Sequence, residues 1–224
     1  MVKDRVAAEL RSSILAGRLS PGQRIVESKI ASELNVAQAS VREAINALVL
    51  EGFVQKEAGQ TARVTILSQK EVAGIYQVRA VLEGLAARLV AESDKPLDEL
   101  DQLVADMETA ARRGNIRAFY ERDLCFHKSM VELCGNPFLV QGLTRALVPL
   151  FAFVTMRMPP VPRDSERFEH SVVLHRQMVD AIRSGDPFFA ENQVRSTVMR
   201  FYQETNEAVG PVGLDSELNG AVSR

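Results

Sequence analysis

Cysteine is scarce in this 224-residue chain, with only Cys125 and Cys134. Two cysteines without a CxxC pairing supply neither a disulfide framework nor a zinc knuckle, and their apolar neighbours mark them as small buried hydrophobes. A long hydrophobic run is missing too. The longest lies between Arg145 and Arg157, eleven residues interrupted by Pro149 and Thr155, whereas a spanning helix needs about 20. The N-terminus MVKDRVAAEL lacks the uninterrupted apolar stretch and small-residue cleavage site of a secretory leader. The expectation is a chain without a membrane partner that stays in the cytoplasm. Strong charge of one sign is also absent, the formal net charge being −2. What is present, 46% hydrophobic, 25% charged and 6% aromatic residues, is the balance of a globular chain and excludes dominant disorder.

The pattern changes near residue 68, which sets the expected division: 1–68, 69–207 and a loose tail at 208–224. Residues 1–68 carry nine Lys/Arg against seven Asp/Glu, and residues 69–224 carry eighteen against twenty-two. The small positive surplus at the front permits nucleic-acid contact, but phosphate binding depends on how cations cluster, not on their total.

Residues 4–16 place Val6, Leu10 and Ile14 at helical spacing, with Gly17 as a stop. Pro21-Gly22 marks a turn, Arg24-Ile25-Val26 is short and extended, and Glu27 or Ser28 opens a second helix ending near Leu34. Asn35 then sits where a sharp turn asks for a left-handed residue. A third helix starts at Gln38 or Ala39, buries Val41, Ile45, Leu48 and Val49, and closes at Gly52. Helix, tight turn and helix make a helix-turn-helix, in which the N-terminal end of the second helix enters the major groove. That end offers Gln38, Ala39, Ser40 and Arg42 as candidate DNA contacts. Two β-prone pieces, Phe53–Lys56 and Ala62–Ile66, then form a hairpin wing that brings Lys56 and Gly59.

From Gln69 onwards six helices are expected, at roughly 69–93, 97–113, 116–134, 137–157, 164–185 and 187–207. The fold class is therefore mostly α: an N-terminal winged helix-turn-helix with a small β-hairpin, then an all-α six-helix bundle able to enclose a ligand. In the first bundle helix Ile75, Val78, Leu82 and Leu85 mark a core face. Arg79 and Glu83 lie four apart, either as a surface ion pair or with the arginine turned inward for a carboxylate. Asp123 and His127 share a helical face, where they can converge on a metal ion or hydrogen-bond one another. His175 is either their third partner or a satisfied core histidine, and His170, five residues earlier, points about 140° away.

The run GRLSPGQRIVESKIASELNVAQASVREAINALVLEGFV resembles the N-terminal domain of the GntR superfamily of bacterial transcription regulators. The resemblance is carried by Gly17, Leu19, Pro21-Gly22, Ile25, Glu27, Ala31, Leu34, Val36, Val41-Arg42-Glu43-Ala44, Leu48, Glu51-Gly52 and Val54. It implies that Arg42 is the recognition-helix arginine, with Glu43 orienting its neighbours. Gln38 stands where the family usually has a first arginine. The later segments Arg79–Arg88, Asp123–His127, Gly135–Leu139 and His175–Asp186 resemble the FCD-type effector domain of the FadR-like subfamily. That second resemblance implies one divalent ion per subunit (zinc, nickel or manganese) held by Asp123, His127 and His175, with a small organic acid nearby. The fourth ligand position of the family falls on Thr197, whose hydroxyl is a poor ligand beside imidazole.

The expected function is a regulator, more often a repressor in this family, that binds double-stranded operator DNA as a homodimer. A small organic acid would control it from a site including Arg79 and Thr197, with no catalysis. Two alternatives use the same residues: a metal-dependent hydrolytic enzyme with an open coordination position at the Asp/His cluster, and an architectural DNA-binding protein without an effector.

Overall fold

The computed structural model describes residues 2–56, 61–157 and 165–209. Gly59, the proline-rich stretch after Arg157 and most of the expected tail fall outside them. Among the described residues nine helices and one two-stranded sheet follow in the order α1 (Val2–Leu15), α2 (Glu27–Leu34), α3 (Gln38–Leu50), β1 (Val54–Gln55), β2 (Arg63–Val64), α4 (Gln69–Ala91), α5 (Asp98–Arg112), α6 (Ile116–Leu133), α7 (Pro137–Arg157), α8 (Ser165–Arg183) and α9 (Pro187–Val209).

The first core gathers Val6, Leu10 and Ile14 of α1, Val41, Ile45 and Leu48 of α3, and Val54 and Val64 of the wing. Asn35 takes φ 50 and ψ 53 between α2 and α3, the left-handed turn that its short polar side chain tolerates. The antiparallel strands pair Val54 with Val64 and Gln55 with Arg63. They are shorter than the two expected pieces. The extended segment before α2 joins them through Ile25 N–H to the Ala62 carbonyl (2.8 Å) and Gly22 N–H to the Val64 carbonyl (2.9 Å).

The second core is the helical bundle, in which α4 makes its most extensive contact with α9. Their approach is close because Gly84 has no Cβ to meet the side chain of Arg195. The stretch Pro137–Met156 of α7 has a mean hydropathy of 1.6 and the length to cross a membrane on composition alone. Here its Leu143, Leu147, Leu150 and Phe153 are buried in the bundle core, with α4 and α6 packed against the helix. Val148 of α7 abuts Gly52, two residues past the end of α3, whose φ of +77° favours glycine; a Cβ there would lie 2.7 Å from the Val148 backbone.

Two sequence expectations fail. Cys125 is exposed and Cys134 only half-buried, because the buried face of α6 is taken by Phe119, Phe126, His127 and Met130. The core face of α4 is also not the expected one. Val78, Val81 and Leu85 are 48%, 53% and 36% exposed, and the buried row is Val72, Tyr76, Arg79, Ala80, Glu83, Ala87 and Val90. The helix carries two apolar stripes, and the bundle covers the one that contains the ion pair.

Candidate functional site

The two ends of the chain each assemble one polar cluster. At the front, Glu27 opens α2 and its carboxylate faces the start of α3. Arg42 donates to Glu27 Oε2 through Nε at 3.0 Å, with Nη2 at 2.9 Å, Gln38 donates to the same oxygen at 3.3 Å, and Lys56 of the wing donates to Oε1 at 3.2 Å. Three of the candidate DNA contacts are thus brought together on one carboxylate. Burial opposes the Glu27 charge only in part, and the Arg42 hydrogen bond leads in holding its carboxyl below the usual range. Ala39 is exposed and Ser40 half-buried at the same helix end. Glu43 points elsewhere, 3.8 Å from Lys3, so the residue that orients Arg42 is Glu27. In the sequence Glu27 was legible as a helix opener and as a position of the family resemblance, but not as the partner of Arg42, since its partners come from α3 and the wing.

In the bundle, α4 supplies Arg79 and Glu83, α6 supplies Asp123 and His127, and α8 supplies His175. Arg79, Glu83, His127 and His175 are 2%, 0%, 1% and 0% exposed. Arg79 and Glu83 are therefore a buried pair and not the surface ion pair that the spacing also allowed. Arg79 Nε donates to Glu83 Oε1 at 2.7 Å. Its guanidinium carbon lies 4.9 Å from the Tyr76 ring centre and 5.6 Å from that of Phe151, positions in which an arginine face is stabilised.

Hydrogen bonding fixes both imidazoles. His175 Nδ1 is 2.8 Å from the Ser171 carbonyl; a carbonyl only accepts, so Nδ1 carries a proton, and Nε2, 3.1 Å from Asp123 Oδ1, is the nitrogen left to donate to that carboxylate or, as a lone pair, to a cation. Arg79 Nη2 is 3.1 Å from His127 Nε2, and an arginine only donates, so this Nε2 presents a lone pair to it. Both nitrogens lie 3.1 Å from the same oxygen, Asp123 Oδ1. A proton on either Nε2 is donated to this oxygen; with those protons gone, three acceptors face one another and suit a shared cation. Donor atoms of Asp123, His127 and His175 lie within 4.8 Å of one another, and two donors at about 2.0–2.2 Å from one ion stand about 3–3.5 Å apart. The residues present fit a divalent ion.

Without an ion, protons on the imidazoles take the place of a cation. Burial disfavours ionised Asp123, yet the two facing imidazoles hold its carboxyl far below the usual carboxylate range. Burial likewise opposes the Glu83 carboxylate, but the neighbouring Arg79 and His127 bring it to about 2. Desolvation lowers the His127 pKa, and the Glu83 charge more than reverses this; the Nε2 lone pair belongs to the neutral ring, so ion binding displaces a proton. Glu83 Oε2 lies 2.7 Å from His127 Nδ1 but off the axis of donation, and among the described residues neither atom gains a hydrogen-bond partner. Such a carboxylate–histidine contact is the arrangement that orients metal-binding imidazoles.

A cavity of about 50 Å³ opens beside the cluster, lined by Tyr76, Arg79, Tyr120, Asp123, Ser171 and Phe201 among others. One water needs roughly 10–15 Å³ on this measure, so a few waters or a small acid fit. Thr197 is buried on α9, one turn before Phe201, whose ring stacks on His175 at 4.9 Å. His170 lies outside the cluster, half-exposed and 3.5 Å from Glu204. Sequence reasoning missed Glu83 as a site residue. Its signal was its place on the Tyr76–Ala80–Ala87 row, which the more apolar neighbouring stripe outweighed.

Comparison with known proteins identifies the assembly. Residues 2–64 match the bacterial regulatory proteins of the gntR family, and residues 74–199 match the FCD domain. The chain is 28% identical to a probable D-xylose utilization operon transcriptional repressor of Paenarthrobacter nicotinovorans, over 99% of this chain and 97% of that protein. It is 29% identical to the gluconate operon transcriptional repressor of Bacillus subtilis (strain 168), over 81% and 76%. The HTH-type transcriptional repressor NanR of Escherichia coli (strain K12 / DH10B) is 29% identical over 92% and 88%. Among solved structures E. coli McbR/YncC shares the fold, with a TM-score of 0.72 at 17% identity over 94% of this chain and 99% of that one. The chain belongs to the GntR family of bacterial transcription regulators, in the group whose C-terminal part is an FCD domain.

Proposed function

We propose that this protein is a homodimeric repressor in which residues 1–68 read operator DNA and residues 69–207 hold a divalent ion and a small organic acid that weakens operator binding. The observation that carries it is the pairing, in one chain, of a recognition-helix cluster (Gln38, Arg42, Lys56) with a buried cation site (Asp123, His127, His175) beside a cavity that Arg79 enters. Gln38, Ala39, Ser40, Arg42, Lys56 and Gly59 contact DNA; Arg79 and Thr197 border the effector. Repression is supported by the names of the relatives, and a cytoplasmic location follows from the DNA partner. Those names refer to D-xylose and gluconate operons, which puts sugar-derived acids first among effectors to try.

The exposed row Val78, Val81 and Leu85 on α4 is the face that a second copy covers, since helix-turn-helix proteins pair to read two half-sites. A divalent ion held by Asp123, His127 and His175 would supply a Lewis-acid contact for an effector carboxylate, while the chain's own residues shape the pocket and exclude water. An effector shifts the protein from its operator-binding arrangement only by its difference in affinity between the two arrangements.

The experiment is fluorescence anisotropy on DNA from upstream of the protein's own gene, with zinc present, across a panel of aldonic acids and acetate. Operator affinity falling with at least one acid is the expected result. Tight binding that no acid alters would favour the architectural alternative, and the absence of any sequence-preferring binding would overturn the proposal.

A further inference from the structure

His127 Nε2 has one lone pair, and two partners are aimed at it. One is the ion held with Asp123 and His175 in the reading above, on which this inference rests. The other is Arg79, whose Nη2 lies 3.1 Å away. A lone pair donated to a metal cannot also accept an N–H. Arg79 cannot resolve the conflict by losing its proton, since guanidinium stays charged in proteins. It can, however, be retained by its other end, because Nε is held by Glu83 Oε1 at 2.7 Å.

We propose that Arg79 and the divalent ion compete for His127 Nε2, so that ion binding releases the Nη2 end of Arg79 into the adjoining cavity, where it takes the effector's carboxylate. Glu83 is the pivot: one oxygen keeps Arg79 on the cavity wall while the other stays at the far nitrogen of His127. Charge follows the same sequence. With His127 and His175 neutral, as ion binding requires, Arg79, Glu83 and Asp123 carry one net negative charge, a divalent ion turns that into one net positive charge, and a monocarboxylate neutralises it. Ion and acid therefore bind with positive coupling, and by linkage each tightens the other by the same factor. A purely structural arginine predicts instead that its loss loosens the site and leaves any effect of acetate on zinc in place.

The test measures zinc affinity by competition with a fluorescent chelator, with and without acetate as the carboxylate probe, in the full-length wild type, Arg79→Gln and His175→Ala. Acetate is expected to tighten zinc binding to the wild type by roughly 5–150-fold, the usual range of coupled sites. Arg79→Gln is expected to bind zinc more tightly than the wild type and to lose the acetate effect, and His175→Ala to bind neither way. Wild type that binds zinc with no response to acetate, or Arg79→Gln binding no tighter while folded, overturns the competition and leaves the metal site standing. Failure of both wild type and Arg79→Gln to bind zinc overturns the metal reading and this inference together. Should Arg79→Gln fail to fold, Arg79→Lys, which keeps a charge for Glu83 but has no second arm to reach His127, is measured in its place, with tighter zinc binding and a smaller acetate effect expected and unchanged values overturning the competition.

Discussion

A carboxylate at the front of α2 sets the geometry of the side chains proposed to read DNA before any DNA is present. Glu27 holds Arg42, Gln38 and Lys56 on its two oxygens, so the side chains that would read a groove have already given up part of their rotamer freedom, a cost that binding otherwise bears. Arg42 is more than half exposed, which leaves its remaining N–H groups available to a guanine edge or a phosphate. Arg42→Ala is expected to weaken operator binding by about 1–3 kcal/mol in a gel shift at fixed salt. The salt dependence distinguishes its role: a phosphate contact lowers the slope by about one, whereas a base contact relaxes preference at one position. Unchanged affinity would remove Arg42 from the interface. The substitution of the family's usual arginine by Gln38 has a physical consequence at the same scale, since a neutral amide shares the Glu27 oxygen without competing for its charge.

Element boundaries depend on local chemistry, and α4 shows what that reaches. Ser68 Oγ accepts from Glu71 N–H at 3.2 Å while Glu71 Oε2 accepts from Ser68 N–H at 2.8 Å, a reciprocal cap that fixes the start of the helix. The hydroxyl and backbone of Ser68 hold the Glu71 carboxyl below its ordinary 4.5. A lowered folded-state pKa means stability that is fully present above 4.5 and lost as pH falls through the lowered value. Glu71→Gln is therefore expected to unfold at lower denaturant than the wild type at neutral pH, with the gap closing in acid; a gap of the same size at both would contradict this. Ser68→Ala should cost about 1 kcal/mol at neutral pH. Caps, the left-handed Asn35 and the glycine stops are local, so the sequence placed the helix ends to within a few residues. Which stripe of α4 faces inward is decided by α6, α8 and α9, and no spacing within α4 records it. For the same reason Asp123, His127 and His175 were legible by helical spacing and resemblance, whereas Glu83 became part of the site only when α6 brought His127 to it.

At the scale of the whole molecule, the stripe left outside becomes the question. Val78, Val81 and Leu85 lie on α4 at helical spacing, with Leu82 half-buried beside them against Gly142 of α7. Burying apolar surface is worth about 25 cal/mol per Å², and a standard interface covers about 800 Å² per partner. A helix of 23 residues such as α4 runs about 34 Å at 1.5 Å per residue, long enough to anchor such a contact with its neighbour α7. A charge at the centre of that face would be desolvated without a partner on closure. Val81→Asp is thus expected to shift the protein from dimer to monomer in sedimentation equilibrium, while the helical signal in circular dichroism is retained because residue 81 is exposed in the single chain. Operator binding should weaken with it, since a monomer engages one half-site and loses the linked second contact. Zinc affinity should not change, because Asp123, His127 and His175 sit on helices within one chain. If Val81→Asp stays dimeric, the α4 face is not the interface. If it turns monomeric yet binds the operator unchanged, pairing is not what gives the operator its affinity.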